Sequence, residues 1–106
     1  MKLSILDQSV AIANKCQDQV INDTLNLSIM AEELGYSRFW ISEHHNHPTI
    51  IGTAPEVLMA AIAAKTKKIR IGSAGIMLPH YSSFKVAEQF RVLNSLAAIS
   101  VDLGVG

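Results

Sequence analysis

Apolar residues recur along this chain in two alternating rhythms, short β-type runs and longer stretches with helical spacing. Residues 2–6, KLSIL, make the first short run, and a polar stretch follows. Leu27, Met30, Ala31 and Leu34 then fall at i, i+3, i+4 and i+7, which predicts a helix over 23–34 with one buried stripe. Asp23 or Thr24 can cap its start, and Gly35 stands where a left-handed C-terminal cap forms. RFWIS, residues 38–42, predicts the second strand. Thr53 to Glu56 has the spacing of a capping box, with Pro55 tolerated in the first turn. It opens a helix expected to bury Val57, Leu58, Ala61 and Ile62 and to end near Thr66. IRIGSAG, residues 69–75, carries the β-branched residues and closing glycine of a third strand. Ser82 or Ser83 caps a third helix that keeps Val86, Phe90, Leu93 and Ala97 in step, and SVDLGVG, residues 100–106, predicts the fourth strand.

The resulting order, β-α-β-α-β-α-β, is that of a parallel sheet, because parallel strands need crossovers and a helix is the usual one. The expected class is therefore α/β, with residues 1–106 as one domain and no internal boundary. Four such strands fit either an open doubly wound sheet or an arc of a (β/α)8 barrel, which typically takes about 250 residues. Length favours the open sheet. The last strand favours the arc, since no helix follows to cover it and the chain reads as cut short.

Composition changes the picture only by exclusion. With 49% apolar and 17% charged residues the chain should bury a core. Nine basic against nine acidic residues leave no broad positive field for nucleic acid or an anionic membrane. MKLSILDQSV is too short and too polar for a signal peptide or a membrane span, so a cytoplasmic location is expected. Cys16, the single cysteine, lies among polar residues and reads as an ordinary thiol.

In both α/β architectures the working groups collect past the carboxyl ends of the strands. Here those are Asp7 and Gln8, Glu43 to His47, Ser73 to His80, and Gly104 to Gly106. Alternation puts Trp40, Ser42 and His44 on one face and Phe39, Ile41 and Glu43 on the other, so Glu43 and His44 do not readily serve one ligand. EHHNH also lacks the spacing of a zinc or iron site, and no metal is expected. His47, before Pro48, reads as a rim residue or a cap for the next loop. His44 shares a face with Trp40, where a polar ring must find a partner or a ligand. Gly72 and Gly75 either let the backbone approach a planar ligand or mark a bulge at a crowded strand end. Met77, Leu78 and Tyr81 fit an apolar ligand wall or plain core packing. DLGVG could begin a phosphate nest, though a lone GxG is not the GxGxxG fingerprint.

LGYSRFWISEHHNHP, the run from APEVLMAAIAAKTKKIRIGSAG through IMLPHYSSFKVAEQFRVLNSL, and the closing DLGVG together resemble the amino-terminal part of the luciferase-like flavin monooxygenases, relatives of bacterial luciferase. The resemblance implies the first half of a (β/α)8 TIM barrel, truncated, that reacts reduced FMN with O2 and oxidises a small organic substrate such as an aldehyde. Deazaflavin is a less favoured cofactor. By the family pattern His44 is the catalytic acid or base, with Glu43 and His45 as supporting neighbours. Ala74 and Gly75 match a pair whose peptide bond is often cis, behind the flavin ring. The positions expected at the cofactor are Glu43, His45, Ser73, Ala74, Gly75, Met77, Gly104 and Gly106. The resemblance also implies a separate flavin reductase as partner and a dimer, and the open barrel edges themselves lead to the expectation of a homo-oligomer formed through them. Relatives continue past the last strand with an arginine for the flavin phosphate, one position beyond Gly106, so this chain alone is expected to be weakly active or inactive. The alternative is a non-catalytic α/β module that pairs its open edges with another copy or a full-length relative.

Overall fold

A computed structural model of the chain describes residues 1–106. The elements are β1 (Ser4–Asp7), α1 (Gln17–Glu33), β2 (Arg38–Ile41), α2 (Pro55–Lys65), β3 (Arg70–Ile76), α3 (Ser83–Leu96) and β4 (Asp102–Val105), with a 3-10 turn at Leu78–His80. The strands form one four-stranded sheet in the order β1-β2-β3-β4, every neighbouring pair parallel. Strand order that follows chain order, with no reversal, places all crossovers on one side of the sheet. The fold is thus an arc of a (β/α)8 barrel, and the open doubly wound alternative falls away.

The helix-facing side of the sheet holds the core. Phe39, Ile41 and Ile71 pack against Leu58, Met59 and Ile62 of α2, Ala31 of α1, and Val86, Phe90 and Leu93 of α3. Each of the larger side chains contributes about 1.5–3 kcal/mol by leaving water. The opposite side, concave in a barrel, has no cover. Leu6 is 55% exposed there, and Trp40 lies across Gly72, where an added Cβ would sit 2.4 Å from the indole. Lower on this side Arg70 holds Asp102 through two bonds of 3.1 and 2.6 Å, and Arg38 adds a third of 3.1 Å. These bonds keep the Asp102 carboxyl below its ordinary range, chiefly through Arg70.

Two helices depart from the expected pattern for physical reasons. α1 starts at Gln17, six residues before Asp23, and buries Val20, Thr24, Ser28 and Ala31. Met30 and Leu34 of the expected stripe are 53% and 69% exposed. The buried face includes two hydroxyls because both are satisfied: Thr24 Oγ1 donates to Asp7 Oδ2 and pairs with Ser9 Oγ, while Ser28 Oγ donates to the Leu25 carbonyl. In α2 the cap is Ala54 without a side-chain bond, so the capping box at Thr53 does not form. Val57 is 64% exposed, and Pro55, Met59 and Ala63 join Leu58 and Ile62 inside. A helix apolar on all sides gives no phase from sequence. Gly35 at φ 86° after α1 and Ser82 capping α3 match expectation. No helix is long and apolar enough to cross a membrane.

Candidate active site

The third strand makes the most unusual feature of the sheet. Its register with β4 runs Ser73 to Leu103 and then Ile76 to Val105, so β3 spends one extra residue and bulges at Ala74 and Gly75. The peptide between those two is cis. Ser73 stitches the bulge, its hydroxyl donating to the Gly104 carbonyl at 2.8 Å and accepting from the Gly104 N–H at 3.0 Å. Both glycines are required by space. A Cβ on Gly104 would lie 2.2 Å from the Ser73 carbonyl oxygen, and one on Gly75 would lie 2.9 Å from the β4 backbone. The result is a shallow cleft of about 350 Å³ on the uncovered side, lined by Leu6, Trp40, Ser73, Ala74, Gly75, Gly104 and Val105. Its floor is backbone and small apolar groups, with an indole on one flank, a surface suited to a flat, largely apolar ring.

Glu43 occupies the end of β2. It is 3% exposed, and its carboxylate accepts from Tyr81 OH at 2.5 Å, His45 Nε2 at 2.5 Å and the Met77 N–H at 3.2 Å. Burial works against its ionisation, but the donors from Tyr81, His45 and Met77 outweigh it and hold the carboxyl below the ordinary range. Tyr81 answers in the other direction: the bond to Glu43, with burial, pushes its phenol up to about 12. His45 also stacks edge-on with His80, ring centres 5.4 Å apart. The side chain therefore ties β2 to the segment leaving β3. Glu43 is thus buried behind the segment that follows β3, with both carboxylate oxygens accepting from protein donors.

His44 points away from this hub, as alternation implied. Its Nε2 meets Gln8 Nε2 at 3.3 Å, its N–H donates to the Gly52 carbonyl at 3.1 Å, and its ring lies 5.8 Å from that of His47. It is partly exposed at the same end of the sheet as the cleft, though outside the cleft's lining. No hydrogen bond joins its ring to Glu43 or His45. His47 Nδ1 accepts from the N–H groups of Thr49 and Ile50 at 3.1 and 3.0 Å, so it caps its own loop. No three His, Cys, Asp or Glu side chains converge in a way that could hold a metal ion.

Of the residues expected at a cofactor, Ser73, Ala74, Gly75 and Gly104 come together in the cleft. The Ser73 hydroxyl is spent on β4, so only its backbone is available. Met77 and Gly106 pack on each other just beyond, since a Cβ on Gly106 would lie 3.2 Å from the Met77 sulfur. His45 stands outside, exposed. Sequence reasoning missed Leu6, Trp40 and Val105 as lining, although alternation along RFWI already aimed Trp40 at the open side. It also missed Tyr81 as a hydrogen-bond donor, for which nothing in the sequence gives a signal.

Residues 1–106 match the family described as luciferase-like monooxygenase over their whole length. The N-acetyl-S-alkylcysteine monooxygenase of Bacillus subtilis (strain 168) is 54% identical over 106 residues, all of this chain and 32% of that protein. Among solved structures, apo-MsnO8 superposes with a TM-score of 0.94 at 42% identity, covering 99% of this chain and 32% of the other. The oxygenating constituent of 3,6-diketocamphane monooxygenase from Pseudomonas putida, a type II Baeyer-Villiger enzyme in complex with FMN, shares the fold with a TM-score of 0.93 at 24% identity. It is covered over 29% of its length and this chain over 100%. The chain spans about a third of the length of the curated relatives it matches.

Proposed function

The chain belongs to the luciferase-like monooxygenase family, and from that we propose that residues 1–106 form the amino-terminal wall of a flavin-dependent monooxygenase site. The observation that carries this reading is the cleft over the Ala74–Gly75 bulge, flat, apolar and floored by backbone at the carboxyl ends of the strands. The ring of FMN fits such a surface, and FMN is the group bound in one protein that shares this fold. Trp40, the Ala74–Gly75 peptide and the Gly104 backbone would flank it. His44, beyond the end of β2, would exchange a proton with the bound reactants. Glu43 would hold Met77 and Tyr81, and with them the wall. Reduced flavin, supplied by a partner reductase, would furnish the two electrons with which one atom of O2 enters a small organic substrate and the other leaves as water, the substrate being an aldehyde or a thioether of the kind the Bacillus relative's name indicates. We place the protein in the cytoplasm, where reduced flavin is made.

The open side of the sheet limits what these residues do alone. They supply one wall, so the 106-residue chain should show little or no flavin-dependent O2 consumption. Replacing the matching third of the Bacillus relative by this chain tests the assignment. The grafted protein should bind flavin and oxidise substrate, and His44→Ala should cut turnover by about 100-fold or more, the scale of a general acid or base. A folded graft that binds no flavin, or one indifferent to His44→Ala, overturns it.

A second reading is favoured by the unpaired edges of β1 and β4 and by the exposure of Leu6, Leu103 and Val105 at 55%, 47% and 56%. On that reading the chain is a non-catalytic module that buries these groups against another copy or a full-length relative. A well-behaved monomer by sedimentation removes it.

A further inference from the structure

Gln8 follows β1 and precedes the strained Ser9, whose φ is 53°. Its neighbours on both sides are locked to α1: Thr24 Oγ1 donates to Asp7 Oδ2 and pairs with Ser9 Oγ at 2.7 Å, with Ser9 and Thr24 2% and 3% exposed. With Asp7 and Ser9 turned to the helix layer, alternation turns Gln8 to the open side, towards His44. A second set of bonds holds the two loops together. Ile51 N–H donates to the Ser9 carbonyl at 3.0 Å, Ala11 N–H to the Thr49 carbonyl at 2.6 Å, and His44 N–H to the Gly52 carbonyl at 3.1 Å. Gly52 allows the approach, since a Cβ there would lie 3.1 Å from the Gln8 carbonyl oxygen. Gln8 and His44 are thus placed by two rigid segments, and the amide Nε2 stands 3.3 Å from the ring Nε2.

We propose that Gln8 is the positioning residue for His44, its amide N–H donating to the ring Nε2 and so fixing the neutral tautomer with the proton on Nδ1. With the amide nitrogen facing the ring, Nε2 is the acceptor, because an amide nitrogen only donates; the flipped amide would favour the opposite tautomer, and the spectrum below tells the two apart. No carboxylate contacts the ring; the other ring beside it is that of His47. In this orientation His44 faces its neighbours with a lone pair on Nε2 and a donor on Nδ1. The role of Gln8 rests on the reading of His44 as acid or base, while the tautomer itself can be read without any turnover.

The test is a long-range imidazole nitrogen spectrum of the 106-residue chain at about pH 8.5, where an ordinary imidazole is neutral, with His44→Gln used to assign the His44 signal. The Nδ1–H form should exceed the Nε2–H form by roughly tenfold, the effect of one net hydrogen bond. Gln8→Leu should bring the ratio to parity or below. Gln8→Glu, which replaces the donor with an acceptor, should reverse it, and it decides the matter with the parent if Gln8→Leu does not fold. A parent dominated by Nε2–H, or a ratio unmoved by Gln8→Glu, overturns the proposal. Indifference of turnover to His44→Ala in the graft would remove the acid–base reading and leave the tautomer result standing.

Discussion

Removing the charge from Glu43 should loosen the segment after β3 more than any other single-atom exchange in the chain. Glu43→Gln keeps the shape of the side chain but leaves one oxygen where three donors now find two. The Met77 N–H can keep its acceptor at Oε1, while Tyr81 OH and His45 Nε2 lose a shared carboxylate oxygen that both approach at 2.5 Å. A hydrogen bond to a charged group contributes about 1.5–3 kcal/mol, and because Tyr81 and His45 can regain water the net loss should be about 2 kcal/mol. That is a large share of the roughly 5–15 kcal/mol expected of a small domain. With a urea dependence of about 2 kcal/mol per molar, the unfolding midpoint should fall by about 1 M. Spectrophotometric titration gives an independent readout, since Tyr36 and Tyr81 are the only tyrosines. Tyr81, held up at about 12 in the parent, should ionise near the ordinary 10.0 in the variant. A raised phenol contributes stability that is whole below the ordinary value and is lost as pH rises through the raised one. The variant should therefore lose less stability than the parent between those values. An unfolding midpoint within about 0.2 M of the parent, together with an unchanged Tyr81 titration, would refute the reasoning.

Other outcomes follow from the same contacts. Glu32 accepts from the N–H groups of Lys67, Lys68 and Ile69 at 2.7, 2.6 and 3.0 Å, so Glu32→Ala should cost about 1–2 kcal/mol in urea unfolding and speed amide exchange at those three positions. For Glu32, Glu43 and Asp102, burial opposes ionisation but donors outweigh it and the carboxyls sit below 4.5, 4.5 and 3.8. Their contribution is whole above those values and is lost as pH falls through the lowered ones, so the urea midpoint should drop steeply below about pH 4. Gly104→Ala forces a Cβ to 2.2 Å from the Ser73 carbonyl and should cost about 3 kcal/mol with loss of the Ser73 stitch. Gly35→Ala meets nothing within 4 Å and bears only the strain of φ 86°, about 1 kcal/mol; equal effects at the two sites, by thermal or urea unfolding, would contradict the crowding argument.

The alternation of strands and helices was legible because each element carries its own period, and α3 kept its Val86, Phe90 and Leu93 stripe as written. The phase of α1 was not. Thr24 and Ser28 are polar by type and buried in fact, and their partners Asp7, Ser9 and Leu25 are known only once the chain is folded. The bulge could be suspected from glycines at 72 and 75, yet its reason is tertiary: Trp40 above Gly72 and the β4 backbone beside Gly75. The proposed site divides in the same way. Its candidates His44 and Ala74–Gly75 come from motifs, whereas the inward turn of Glu43 towards Tyr81 joins residues 38 positions apart. Gln8 and His44, 36 apart, belong to that class too.

The central claim is that the flavin lies on the cleft over the Ala74–Gly75 bulge, and weak binding to the chain alone is enough to locate it. Amide and indole nitrogen shifts of the 106-residue chain, followed as FMN is raised to millimolar concentration, test this most directly. Saturable shifts centred on the Trp40 indole and the amides of Ala74, Gly75, Gly104 and Val105 are the predicted result. Shifts confined to the groove of about 490 Å³ between α2 and α3, around Val57, Ala60 and Leu96, would contradict it.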